Sequence, residues 1–300
     1  MQVYDNHIHF DEGKCDSPDA FLEKTAAANV VGGTIISLYP ASFRKYQDSK
    51  SNDYRQRIDQ VLEYTSKTPG FNPFFWVDPK EENAIDQIVE AKKCGIKGIK
   101  VICNNFYAGD YIDLWQKVAD ENLPLLFHSG ILWDEEPSSL YNRPLAFESL
   151  MKVKGLRFAL AHISWPWCDE CVALYGKFKH VSSYTGNETF RMYVDTTPGT
   201  PPVYRYEALR KLYCSNYPVK HGTIFGTDCS VNSYDTKWAN AWLEQDSRIM
   251  QKIVDNYADC LLPNAYGAHN RDGLEDNVEG LLRAMFAENY LAFINGSVKV

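Results

Sequence analysis

Positive charge is scarce in this chain. Lys and Arg number 31 against 39 Asp and Glu, a formal net charge of -8. That balance leaves no surplus for a basic patch and argues against a nucleic-acid partner or an anionic membrane surface. No apolar run approaches the length needed to cross a bilayer. The opening Met1-Gln2-Val3-Tyr4-Asp5 shows neither a basic stretch nor an apolar one, so no secretory signal is expected. Gly/Ser-rich linkers, charge runs and low-complexity tracts are missing as well, which favours one domain over residues 1–300. The eight cysteines are scattered, with a lone Cys-x-x-Cys and no second one to complete a zinc site. Free thiols in a reducing cytoplasm are the simpler expectation.

What is present is a regular alternation of short β-type runs and amphipathic segments. Strands are expected at Val3–Phe10, Val30–Leu38, Phe71–Val77, Gly98–Ile102, Leu123–Phe127, Leu156–Ala161, Met192–Val194 and Gly222–Gly226. Helices are expected between them. Ser17-Pro18 opens the first, with Ser as cap and Pro in the first turn, leading into Asp19–Ala28. Others cover Asp53–Ser66, Glu81–Cys94 with Ile85, Ile88 and Ala91 on one face, Tyr111–Glu121, Leu145–Lys152, Asp169–Phe178 and Tyr204–Tyr213. The remainder reads as helical to about Phe293. Eight strand-helix units over 300 residues fit an α/β fold, a single (β/α)8 TIM barrel, better than an open sheet.

Active sites of such barrels lie at the C-terminal ends of the strands. The first strand ends in His7-Ile8-His9, and residues two apart on a strand point to the same side. Neutral imidazole is a common ligand for zinc and related ions. The fourth strand brings Lys100, the fifth His128, the sixth His162 and the eighth Asp228. Four of the seven histidines thus end expected strands, and one barrel mouth would collect them with an aspartate. His180, His221 and His269 fall outside that pattern and read as ordinary surface or loop residues. Asp195 and Thr196 follow the seventh strand, placed either to line the mouth or to serve as plain loop residues.

Several neighbouring residues carry two readings. Trp165-Pro166-Trp167 follows His162 and makes either a wall of a substrate pocket or ordinary packing. The segment Ile131–Pro144 is long enough for a lid or specificity loop. Within it, Arg143 suits a clamp on a substrate carboxylate and suits a surface ion pair equally. Cys168-Asp169-Glu170-Cys171 has the spacing of a redox pair, but the two acids between the thiols oppose thiolate formation.

The motifs Asp5-Asn6-His7-Ile8-His9, Gly98-Ile99-Lys100, Leu126-Phe127-His128-Ser129-Gly130, Ala161-His162-Ile163 and Phe225-Gly226-Thr227-Asp228 occur in this order over nearly the whole chain. Together they resemble the amidohydrolase superfamily of metal-dependent barrels. The likeness is nearest to the branch that contains aminocarboxymuconate-semialdehyde decarboxylase. That resemblance implies a divalent metal, zinc or manganese, held by His7, His9, His128 and Asp228, with one ion favoured over two. It further implies Asp228 as proton acceptor, and His162 bonded to the activated water or polarising a substrate oxygen. In some barrels of the superfamily the lysine matching Lys100 is carboxylated and bridges two metals; the plainer alternative is an ammonium paired with a carboxylate at the mouth, and Lys100 is also a candidate substrate contact. Barrels of this branch are often dimers, so a homodimer is consistent with the resemblance.

The function expected is hydrolysis of a small amide, ester or lactone by metal-activated water. Non-oxidative decarboxylation of a carboxylated aromatic or dienoic acid is the alternative on nearly the same ligands. A barrel that binds a small molecule without turnover is the third reading, and the complete ligand set speaks against it.

Overall fold

Short runs rich in Val, Ile, Leu and Phe, broken by helices, can bury their backbone polar groups only by pairing side by side in parallel. The computed structural model describes residues 1–10, 15–43, 50–51, 53–185, 190–215, 217–256 and 278–296. Its main sheet contains β1 (Val3–His9), β2 (Val30–Ile36), β5 (Phe71–Trp76), β6 (Gly98–Val101), β7 (Leu125–Phe127), β8 (Leu156–Leu160), β9 (Phe190–Asp195), β10 (Thr223–Ile224) and β11 (Cys229–Ser230). A two-residue ribbon, β3 (Tyr39–Pro40) with β4 (Lys50–Ser51), lies apart from it. The strand order is β10-β9-β8-β7-β6-β5-β2-β1-β11, and every pairing is parallel.

The two end strands are successive pieces of one stave. β10 pairs with β9 and β11 pairs with β1, so residues 223–230 span the gap between them. Asn6 N donates to the Phe225 carbonyl at 2.9 Å, and Asp228 N donates to the His7 carbonyl at 3.0 Å. The sheet is thereby curled into the expected barrel. The eighth strand expected at Gly222–Gly226 is instead split into β10 and β11 around the segment that carries Asp228.

Helices α1 (Pro18–Ala26), α2 (Tyr54–Thr65), α3 (Ala84–Cys94), α4 (Ile112–Asp120), α5 (Cys168–Thr185), α6 (Pro202–Tyr213) and α7 (Thr236–Asp255) form the outer ring. Ser17 caps α1 by accepting from Ala20 N, and Asp53 caps α2 by accepting from Arg55 N. Two expectations are corrected. Leu145–Lys152 lies within a 3-10 helix that starts at Pro144. Ile85 is exposed, because α3 begins at Ala84 and turns Ala84, Gln87, Ile88 and Ala91 inward. Helices α8 (Val278–Arg283) and α9 (Asn289–Asn295), joined by a π-helical turn, complete the described chain. His269 lies outside the described residues.

Strand alternation sorts the core into two layers. Phe71, Phe75, Phe127, Phe158, Leu160, Met192 and Val194 pack toward the helices, while Phe74, Trp76, Leu126, Ala159, Tyr193 and Ile224 form the inner cluster with Tyr290 and Phe293. α9 closes the end where the strands begin. Tyr290 stacks on Tyr4 at 5.2 Å, Arg157 Nε donates to the Phe293 carbonyl, and Asn289 Nδ2 donates to the Lys220 and Thr223 carbonyls. The loops that carry the site follow the strands at the opposite end.

Candidate metal centre

β1 carries two of the site's side chains and does not follow simple alternation. Its pairing with β2 shifts register between Asp5 and Ile8. Tyr4 packs against the inner cluster before the shift, and the His7 and His9 rings lie together, with centroids 5.1 Å apart. Asp5, fully buried, pins this irregular strand: it accepts from His7 N at 3.1 Å, Thr227 N at 2.9 Å, Thr227 Oγ1 at 2.6 Å and Tyr234 Oη at 3.0 Å. Burial nevertheless pushes its pKa up to about 7.

The segment that closes the barrel brings Asp228 to these rings. Its Oδ1 lies 3.5 Å from His7 Nε2 and 3.3 Å from His9 Nε2. The three ligand atoms of His7, His9 and Asp228 all fall within 4.8 Å of one another. Asp228 adopts a left-handed φ of 61°, which Asp tolerates better than most residues. Gly226 is needed beside it, because a Cβ there would press on Thr197 Oγ1 and come 2.9 Å from His7 Cβ. Burial works against the Asp228 charge, but His7, His9 and His162 outweigh it and hold the carboxyl well below the usual range.

His162 and His128 stand next to each other, ring centroids 4.9 Å apart, and His162 lies 5.4 Å from His7. His162, Ile163 and Ser164 form a left-handed turn with φ of 63°, 49° and 56°. Such backbone is uncommon outside glycine and concentrates at functional sites. His162 Nδ1 donates to the Pro198 carbonyl at 2.9 Å, and Thr200 Oγ1 donates to the His162 carbonyl at 3.0 Å. His128 Nε2 donates to the Ile131 carbonyl at 3.2 Å, leaving Nδ1 as its bare nitrogen. His128 stands outside the group formed by His7, His9 and Asp228. Burial above all keeps both rings neutral, with pKa values below the ordinary histidine value.

Lys100 is buried, and its Nζ reaches to 3.1 Å from His7 Nε2, 5.9 Å over the Trp76 ring. Burial lowers its pKa to about 8. Burial and the adjacent Lys100 charge together lower His7 to about 3. An aromatic wall flanks His9: Tyr39 stacks on its ring at 5.7 Å, and Trp76 packs on Tyr39 at 4.3 Å.

The remaining candidates are placed differently. Trp165 stacks on Tyr204 at 6.2 Å in the loop just after His162. Arg143 is committed to Glu170, with Nε 2.8 Å from Oε1, and lies over the Trp167 ring. The Ile131–Pro144 loop is stitched to the loop after β6 by Asn142, whose amide bonds both N and O of Cys103. Burial raises the thiols of Cys168 to about 11 and Cys171 to about 12, which opposes thiolate formation and speaks against the redox reading of that pair.

A family model described as amidohydrolase matches residues 37–256. The chain belongs to the amidohydrolase family. The matched span contains Lys100, His128, His162 and Asp228 and begins after the His7-Ile8-His9 strand. No curated protein matches the sequence. Among solved structures, this amidohydrolase is similar to a Pseudomonas putida protein provisionally named as a 2-pyrone-4,6-dicarboxylic acid hydrolase, with 12% identity, 100% of this chain and 99% of that one covered, and a TM-score of 0.59. It is similar to dihydroorotase of Campylobacter jejuni at 16% identity, 99% and 84% coverage and a TM-score of 0.52. The 4-oxalomesaconate hydratase of Rhodopseudomonas palustris follows at 11% identity, 98% of each chain and a TM-score of 0.50. At these identities the likeness speaks for the fold.

The donor set of the amidohydrolase fits a divalent cation. Ligands bound tetrahedrally at about 2.0–2.1 Å sit roughly 3.3 Å from each other. The two His-to-Asp228 separations, 3.5 Å and 3.3 Å, match that edge. Sequence reasoning gave Asp5 no role of its own and left Asp195 between lining the mouth and a plain loop position. Asp195, fully buried at the end of β9, accepts from Asn6 Nδ2 at 3.0 Å and from His7 Nδ1 at 3.4 Å. Asp5 sits two positions before His7, and an acid inside an expected strand was the available signal for it.

Proposed function

We propose that this amidohydrolase is a metal-dependent hydrolase of a small amide, ester or lactone. One divalent ion, zinc or manganese, would be held by His7, His9 and Asp228, with His128 offering its bare Nδ1 as a further ligand. The observation that carries the reading is the convergence of three ligand atoms within 4.8 Å of one another. A divalent ion in such a site supplies a water acidified toward neutral pH and positive charge for a developing oxyanion.

The chain's own groups divide the remaining work. Asp228 is ionised and partly exposed, so its carboxylate can accept a proton at the mouth. His162 donates through Nδ1 to Pro198 and keeps Nε2 bare, which suits it to accept a hydrogen bond from water or to take up a proton beside Asp228. The Lys100 ammonium offers charge to a substrate carboxylate, and Trp165 a wall for its body.

Decarboxylation of a carboxylated aromatic or dienoic acid is the second reading. It is supported by the Lys100 ammonium beside an aromatic wall of Tyr39 and Trp76, a setting suited to a flat acid, and by the motif likeness to the aminocarboxymuconate-semialdehyde decarboxylase branch. A panel of lactones, amides, esters and carboxylated acids, run on zinc- and manganese-loaded protein in labelled water, decides between them. Label in the product, lost on chelation and reduced about 10²–10⁴-fold in Asp228→Asn, supports hydrolysis. Carbon dioxide released without label in the product supports decarboxylation and overturns the first reading.

A further inference from the structure

The geometry points to Asp195 as the positioning residue of the metal centre. It holds the His7 imidazole with its proton on Nδ1 and so keeps the Nε2 lone pair facing His9 and Asp228. The inference rests on the reading of His7 as a metal ligand.

Every group around the Asp195 carboxylate is a donor. Oδ2 takes Asn6 Nδ2 and His7 Nδ1, while Oδ1 takes Thr197 N at 2.7 Å and Thr197 Oγ1. A carboxylate only accepts, so the nitrogen facing it must carry the proton. The far side of the ring agrees. Lys100 Nζ lies 3.1 Å from Nε2, and an ammonium only donates, so Nε2 must be bare. Asp195 and Lys100 thus select the same tautomer, the one that leaves a lone pair for an ion, against the pull of Asp228 Oδ1, 3.5 Å from Nε2, the oxygen with which His7 would share that ion.

The carboxylate is itself fixed. Arg205 Nη2 donates to the carbonyl of Thr196 at 2.7 Å, and Arg205 is locked in a fully buried pair with Asp246. The same loop reaches His162 through the Pro198 carbonyl and through Gly199, where a Cβ would meet the His162 ring at 2.9 Å. Residues 195–200 therefore serve as a shared seat for two of the site's histidines.

Asp195→Asn keeps the shape and reverses the chemistry. The backbone N–H of Thr197 requires the remaining oxygen, which turns the new amide N–H toward Asn6 and His7. His7 must then accept at Nδ1 and carry its proton on Nε2. The test uses the full chain, metal-free, with 15N-labelled histidine, the His7 signals being assigned from His7→Gln. Wild type is expected to show the Nδ1–H tautomer and Asp195→Asn the Nε2–H tautomer, with zinc affinity in chelator competition falling about 10–100-fold. Thr197→Ala, which spares Oδ2, should keep the wild-type tautomer. A proton on Nε2 of His7 in wild type overturns the proposal even if Asp195→Asn fails to fold. So does an Asp195→Asn protein that loses only thermal stability, with tautomer and zinc affinity unchanged. Absence of zinc binding by wild type would instead overturn the ligand reading, and the tautomer, read without metal, keeps the two failures distinct.

Discussion

Lys100 is the residue whose chemistry most opposes its surroundings. Its ammonium is buried beside a neutral imidazole, and its pKa of about 8 lies below the ordinary 10.5. The unfolded chain therefore binds more protons than the folded one between those values, and stability should rise with pH across that window. At pH 7 the folded protein carries the whole penalty. Lys100→Met is expected to add about 1 kcal/mol, roughly 2–4 °C in Tm, to metal-free protein at neutral pH and to flatten the rise between pH 8 and 10. Unchanged thermal melts at both pH values would show that the ammonium is solvated. The same substitution should weaken binding of a carboxylated substrate. At this scale the sequence was informative where identity and position coincide, as in His7, His9 and Asp228. It left Arg143 between a substrate clamp and an ion pair, and the structure gives the ion pair, because nothing local reveals that Glu170, far along the chain, claims its guanidinium.

Among the elements, β1 and residues 195–200 decide where the site forms. Period-two reasoning from Val3 places His7 and His9 on one face, and the two rings do lie together, but the register shifts between Asp5 and Ile8, the stretch that contains His7. Such a shift depends on the partner strand and on the bonds to Asp5, neither of which is written in local hydropathy. The eighth strand was legible as an element and not in its break, since the split follows from the turn at Asp228. Leu145–Lys152 has an amphipathic pattern that suits either helical form, and the structure shows it as 3-10. Gly226→Ala tests this level. The added methyl meets Thr197 and His7, so the variant should lose about 1–3 kcal/mol in denaturant unfolding and bind zinc more weakly than wild type. Wild-type values for both would mean that the closing stave is not packed against His7.

Across the whole molecule, alternation of strand and helix was enough to announce the barrel, because parallel pairing and two-sided burial leave few other solutions. The plug formed by α9 was not legible, since its Tyr290 and Phe293 look like any amphipathic helix until the inner cluster receives them. No described helix is long and apolar enough to cross a membrane. Gathering histidines at one end has a cost in acid. His7, His128 and His162 all have lowered pKa values, so the unfolded chain takes up their protons first, and stability falls as pH drops below about 6.5. Asp5, raised to about 7, acts in the opposite sense: its contribution is full below the ordinary carboxylate value and fades as pH rises toward 7. Three groups against one should make metal-free protein lose Tm between pH 6.5 and 4. A flat profile over that range would mean that the imidazoles are not buried neutral.

Metal content per chain, measured by elemental analysis after zinc loading and dialysis, tests the central claim most directly. The account predicts close to one ion in wild type and well under one in His9→Ala and in Asp228→Ala, with both variants still folded. Wild type that retains no zinc, or variants that hold as much as wild type, would contradict it.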